Sequence, residues 1–214
     1  MGFFDVIKKL FSGSSNGNNT ANNTNNANNI KKAADTVAQN VAANVGKGKT
    51  EVQTFTFAKV PKTLDELKAL PEAKLDTPFK CVALTMLVLL NYKDNQEEMF
   101  KMLDYLNGPE PVTPYTRTFM HDRLKDKEFV VASFFKGSSV ANDYTPTEPY
   151  TIDVKANPYS FDNENYATLW LRSSGADNER SIALRKKPST GEWFFREIQC
   201  LGDIRKPVSK DAWA

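Results

Sequence analysis

His121 and Asp122 stand side by side and are the first residues to weigh as chemistry. A histidine base steered by a carboxylate is a recurrent catalytic pair. Adjacent residues on a helix point in different directions, however, so a structural histidine is the better reading. One histidine and two distant cysteines, Cys81 and Cys200, also fall short of the three or four ligands of a zinc site. Both cysteines read as small buried hydrophobes, with a single disulfide between them as the alternative. Paired carboxylates can do acid–base work without a visible motif, and Asp122, Asp143, Asp162 and Glu164 are the candidates for a cleft between helices and sheet. Asp162 to Asn165 could offer oxygen ligands, but the run lacks the glycine and glutamate spacing of a calcium loop and reads as a turn.

Ala43 to Thr50 fits a relaxed phosphate-loop pattern, with alanine in place of the first glycine. That chemistry needs a buried strand before the loop and a helix after it. Here a polar stretch precedes Lys49 and a strand-like run follows, so a basic linker is the reading.

The segment Asn142 to Tyr166 points to recognition. Tyr144, Tyr150, Tyr159, Phe161 and Tyr166 are interleaved there with prolines and with Asn and Asp. Tyrosine combines a flat apolar face with a polar tip, and long loops with their own aromatic residues are often functional. The plainer alternative is that these rings cover the sheet. Trp193, Phe194 and Phe195 alternate between sheet faces, so one of them lies outside the main core unless both faces are covered. Tyr144, Tyr150, Tyr159, Phe161 and Trp193 are therefore the candidate ligand-binding residues, and neither a cofactor nor a metal is called for.

The elements that position these residues follow from periodicity. Val52 to Phe57 reads as a strand. Thr63 to Glu66 reads as a capping box before a short helix that Pro71 stops. Thr77-Pro78 opens a helix to about Asn91 that is apolar nearly all round and so belongs at the centre. Asp94 with Glu97 opens a third helix, closed by Gly108-Pro109, and Thr113-Pro114 starts a fourth. Alternation then takes over. Phe129 to Phe135, Tyr150 to Val154, Tyr166 to Arg172, Ser181 to Lys187 and Trp193 to Cys200 read as strands. The expected fold is α+β, with about four helices packed on one face of an antiparallel sheet of about five to six strands. It forms a single domain over residues 51–214.

Three segments precede that domain. Residues 1–11 carry Phe3, Phe4, Ile7, Leu10 and Phe11 at the spacing of one helical face. So short an amphipathic helix is marginal alone in water and suits a membrane surface or a partner protein, with docking on the protein's own head or plain disorder as the alternative. Residues 12–29 are dominated by asparagine, which fills nine of the fourteen positions from Asn16 to Asn29, and are expected to stay disordered. Residues 30–50 read as a weak helix and basic linker. The first 50 residues hold six lysines against two aspartates, while the rest holds 22 basic and 24 acidic residues. A basic tip on a mildly acidic head suits an anionic membrane better than DNA, and no nucleic-acid partner is expected. The apolar residues near the start are broken by Asp5, Lys8 and Lys9, unlike a secretory signal. The expected location is the cytoplasm, with the inner face of the membrane as the surface the tip would reach.

Several motifs also carry a resemblance. Thr63 to Pro71, Leu75 to Phe79, Tyr144-Thr145-Pro146 and Pro149-Tyr150 are among them, as are Ser173 to Asp177, Pro188 to Trp193 and Asp203 to Pro207 with Trp213-Ala214. Together they resemble an uncharacterised domain family of gut-type, mostly Gram-positive bacteria, over roughly residues 55–214. The resemblance implies a bacterial single-domain head and brings no activity, cofactor or catalytic residue with it. The combined reading is a non-enzymatic binding or interaction domain tethered by its N-terminal helix. A small enzyme using paired carboxylates and a scaffold or assembly subunit are the alternatives.

Overall fold

The computed structural model describes residues 48–213. The expected amphipathic helix, with Phe3, Phe4, Ile7, Leu10 and Phe11, lies outside the described residues. So do the Asn-rich linker and nearly all of the 30–50 segment.

Strand β1 (Glu51–Phe57) alternates as its sequence requires, with Phe55 and Phe57 turned inward and Val52, Thr54 and Thr56 exposed. Helix α1 (Leu64–Lys68) follows. The Thr63 hydroxyl accepts from the Glu66 N–H at 3.2 Å, but the reciprocal half of the expected capping box is shifted. The Glu66 carboxylate accepts from the Lys62 N–H at 2.8 Å instead, one residue before the cap. Helix α2 (Pro78–Leu89) starts at Thr77-Pro78 as expected, and eleven of its twelve residues are buried. Helix α3 (Gln96–Asn107) is capped by Asn95, whose side chain accepts from the Glu98 N–H at 3.1 Å. Asp94, expected to cap it, is held by the Lys62 ammonium at 2.8 Å. Helix α4 (Pro114–Leu124) opens on Thr113-Pro114.

The segment Phe129 to Phe135, expected to be a strand, is a short helix, α5 (Phe129–Ala132), continued by turns. An apolar run of this length fits a strand or a buried helix equally well. Val130, Val131, Phe134 and Phe135 are its buried apolar members, a helical spacing. The Ser133 N–H closes the turn on the Phe129 carbonyl at 3.0 Å.

Strands β2 (Tyr150–Ala156), β3 (Tyr166–Leu171), β4 (Arg180–Lys186) and β5 (Trp193–Ile198) complete an antiparallel sheet in the order β1-β2-β3-β4-β5. All five helices fall in the connection between β1 and β2. The inward face presents Ile152, Val154, Leu169, Leu171, Ile182, Leu184 and Phe195, all buried, and α2 touches every strand of the sheet. Burying each such side chain contributes roughly 1.5–3 kcal/mol, which favours this one-sided arrangement. The architecture is therefore α+β, with five helices and five strands among the described residues. None of these helices is long and apolar enough to cross a membrane. Cys81 and Cys200 are free and buried, and burial pushes each thiol up to about 12.

Candidate functional site

The outward face of β3, β4 and β5 follows from strand alternation, with a register shift between Ala183 and Leu184 that leaves Arg196 of β5 without a direct partner on β4. Tyr166 pairs with Arg185 and Arg185 with Phe194, so these three side chains form one row across the sheet. Arg196 follows Phe194 by two residues on β5 and falls on the same outward face. Both guanidinium groups flank the Tyr166 ring, at 5.9 Å for Arg185 and 5.8 Å for Arg196 from its centroid. Cation–π attraction offsets part of the cost of holding two like charges close together.

A loop turns this row into a cleft. After α3 the chain reverses at Gly108 (φ +94°) and returns to α4 past the Phe194 ring. The return is pinned by Asp104. Its carboxylate accepts from the Val112 N–H at 2.8 Å and takes two bonds from the Arg117 Nη2, at 2.9 and 2.8 Å. The Arg117 Nε–H donates to the Val112 carbonyl at 3.1 Å, and its guanidinium lies 4.5 Å from the Phe100 ring centre. Between this loop and the β4–β5 edge lies an open cleft of about 440 Å³. Val112 and Pro188 give it apolar walls, the Phe194 ring lies at its floor, and Asn107, Thr113 and Thr116 give it neutral polar groups. Its charged lining is Arg185, Lys186, Lys187 and Arg196 against Glu110 alone.

The charges in this cleft are thinly compensated. Arg185 and Lys187 make no ion pair among the described residues, and the nearest carboxylate to Arg196, that of Glu197, is 3.9 Å away. Lys186 sits 5.9 Å from the Trp193 ring centre. A second cleft, of about 450 Å³, lies between the α4–α5 turn and residues 201–210. Its cations are Arg123, Lys127, Lys206 and Lys210, with Asp126 and Asp203 among them. Lys210 is engaged, donating to the Asp126 carbonyl at 2.9 Å.

The aromatic residues expected to bind a ligand separate into different environments. Tyr144 is 1% exposed, stacks on Phe129 at 5.6 Å and donates its hydroxyl to the Arg205 carbonyl at 2.9 Å. Its ring and its hydroxyl are both committed to the fold, which corrects its expected place on a recognition surface. Trp193 is also buried, and Phe161 bridges Phe79 and Trp193 at 6.5 and 6.4 Å. Tyr150 is half-buried, edge-on to Phe135 at 6.2 Å, with its hydroxyl on Glu148. Only Tyr159 is fully out, at 76% exposure. The five rings therefore do not form one surface; the alternative that they cover the sheet describes most of them.

The polar candidates are all at the surface. His121 and Asp122 approach to 3.8 Å, but both are largely solvated. Asp143 accepts from the Ser209 N–H at 3.1 Å, and Asp162 and Glu164 are exposed in the turns before β3. None of Asp122, Asp143, Asp162 and Glu164 lines either cleft. Among the described residues no group of three or more His, Cys, Asp or Glu is placed to hold a metal ion. Lys49 is exposed and runs directly into β1, which is not the helix a phosphate loop needs.

Sequence reasoning passed over Arg185, Lys187 and Arg196. The signal was available in part, since alternation along β4 and β5 puts Arg185, Phe194 and Arg196 on the face away from Leu184 and Phe195. No curated protein and no solved structure matches the chain. A family model does, over residues 59–208, well inside the span that the sequence motifs cover. The chain thus belongs to the family described as a domain of unknown function, DUF6935.

Proposed function

We propose that this protein is a binding module, held at a membrane surface or partner protein by residues 2–11, whose ligand enters the cleft beside the β4–β5 edge. The observation that carries this reading is the cleft itself: about 440 Å³, open to solvent, with a pinned wall and a floor that mixes an aromatic ring with charge. Concave sites of this size with a few convergent polar groups are where small ligands bind. The four carboxylates weighed for acid–base work, Asp122, Asp143, Asp162 and Glu164, are exposed and line neither cleft. This favours binding over the small enzyme with paired carboxylates.

The cleft is tested by thermal shift of the full chain against phenyl phosphate, benzoate and phenyl glucoside. At least one is expected to raise Tm saturably, and Phe194→Asp is expected to abolish that rise. No saturable response to any of the three overturns the cleft as a ligand site. The tether is tested by flotation with phosphatidylglycerol vesicles. The full chain is expected to float, and a chain lacking residues 1–12 to float less. Equal flotation of the two overturns the tether.

A further inference from the structure

We infer that the cleft beside the β4–β5 edge recognises a phosphate group, bound across Arg185, Arg196 and Lys187 with its organic part against Phe194. This rests on the reading of the cleft as a ligand site and specifies its chemistry.

The charge count argues for an anion. Residues 51–214 carry two more acidic than basic side chains, yet the cleft gathers four basic residues against Glu110. A concentration of one sign against the trend of the domain is a local feature, and a concave wall focuses its field. The protein itself does little to neutralise it, because Arg185 and Lys187 lack a carboxylate partner among the described residues and Arg196 has only a distant one.

Geometry selects phosphate over carboxylate. Arg185 and Arg196 are diagonal neighbours on adjacent strands, both against Tyr166, so their planar forks project from one sheet face. Each fork can donate two parallel hydrogen bonds to an oxyanion. Lys187 and Lys186 add point charges at the same rim. A carboxylate brings one negative charge and two oxygens to this set. A phosphate monoester brings about 1.5 to 2 charges and three oxygens, and answers more of the donors at once. The Thr113 and Thr116 hydroxyls lie 2.9 Å apart on the opposite wall and can turn toward a further oxygen. Val112, Pro188 and the half-buried Phe194 ring leave an apolar bay for the organic portion.

The second cleft is the weaker candidate. It mixes Asp126 and Asp203 with its lysines, and Lys210 is occupied by the Asp126 carbonyl.

Phosphate of this kind reaches a protein as a free organic phosphate or as a lipid headgroup, and the experiment separates the two. The full chain and its Arg185→Gln/Arg196→Gln variant are titrated calorimetrically with phenyl phosphate and with benzoate. Both are also sedimented with phosphatidylglycerol vesicles. A native-like Tm of the variant, and an unaltered result for Lys59→Gln on a remote surface, exclude misfolding and bulk charge as causes. Saturable phenyl phosphate binding, about tenfold tighter than benzoate and weakened about tenfold or more by the double variant, supports a soluble phosphate ligand. Vesicle binding that the double variant weakens to the same degree, without phenyl phosphate binding, supports a headgroup. Benzoate binding as tight as phenyl phosphate overturns the phosphate assignment and leaves the ligand site standing. No binding of either solute, together with equal vesicle binding by wild type and variant, overturns the phosphate assignment outright.

Discussion

Gly108 lies so close to Phe194 that a methyl group on its α-carbon would sit 2.8 Å from Cγ of the ring. The glycine ends α3, and the ring forms the floor of the cleft. One contact thus joins the end of the helix to a ring that lines the cleft. The backbone agrees with the packing, since φ of +94° at this residue is strained for any side chain.

Gly108→Ala is therefore expected to lose about 1–3 kcal/mol of stability through backbone strain, with the displaced Phe194 adding to it. The check is denaturant unfolding of the variant beside Gly191→Ala. Gly191 also has positive φ (+80°), but its added Cβ meets open space. Equal losses in the two variants would show that the ring contact contributes nothing.

Asp104 is expected to matter to the cleft as well as to stability. Asp104→Asn keeps its size but weakens the paired bonds to Arg117, which is part-exposed along with Asp104, so the loss should be about 1 kcal/mol. The loop from 108 to 113 should loosen with it. Hydrogen exchange at Val112, whose N–H bonds Asp104, should rise more than exchange at Leu87 in α2.

Tyr144→Phe is expected to cost about 1 kcal/mol, because it removes a part-buried hydrogen bond to the Arg205 carbonyl. Gly175→Ala should cost more, since its new methyl would overlap the Tyr144 hydroxyl. Neither change should alter ligand binding in the cleft, as neither residue lines it. Thermal unfolding and the phenyl phosphate titration read the two effects separately.

The cysteines predict the alkaline limb of stability. In the unfolded chain each thiol ionises around its ordinary value of 9.0, whereas burial holds the folded thiols protonated to about 12. Between these values the unfolded state releases protons first, so stability should fall as pH rises from about 9 toward 12. The tyrosines Tyr92, Tyr105, Tyr144 and Tyr150, also raised chiefly by burial, act in the same sense at higher pH. A Cys81→Ala/Cys200→Ala variant should show a shallower decline in chemical denaturation between pH 8 and 10. The native thiols should also resist a disulfide reagent at pH 8 until denaturant is added, because the thiolate is the reactive form.

Much of the fold was legible locally. Thr77-Pro78 and Thr113-Pro114 announced α2 and α4, because a capping hydroxyl and a proline at the first helical position act within a few residues. Alternation located β1 to β5, and turn residues separated the last three strands. The candidate site was not legible in the same way. Tyr144 and Trp193 looked like ligand-facing rings from their neighbours in sequence, yet both are buried against distant partners, Tyr144 on the Arg205 carbonyl 61 residues away and Trp193 on the Phe161 ring.

The sequence alone determined the starts of α2 and α4, the positions of β1 to β5 and the central place of α2, since each is carried by capping, periodicity or composition over short stretches, while the family followed from the resemblance of several motifs. Tertiary structure decided that the run Phe129 to Phe135 forms a short helix, Phe129–Ala132, and turns instead of a strand, because an apolar run of that length takes its shape from what it packs against. It also decided that Arg185, Arg196 and Tyr166 share one outward patch. Their meeting depends on the register between strands, and register is set by pairings far apart in the chain.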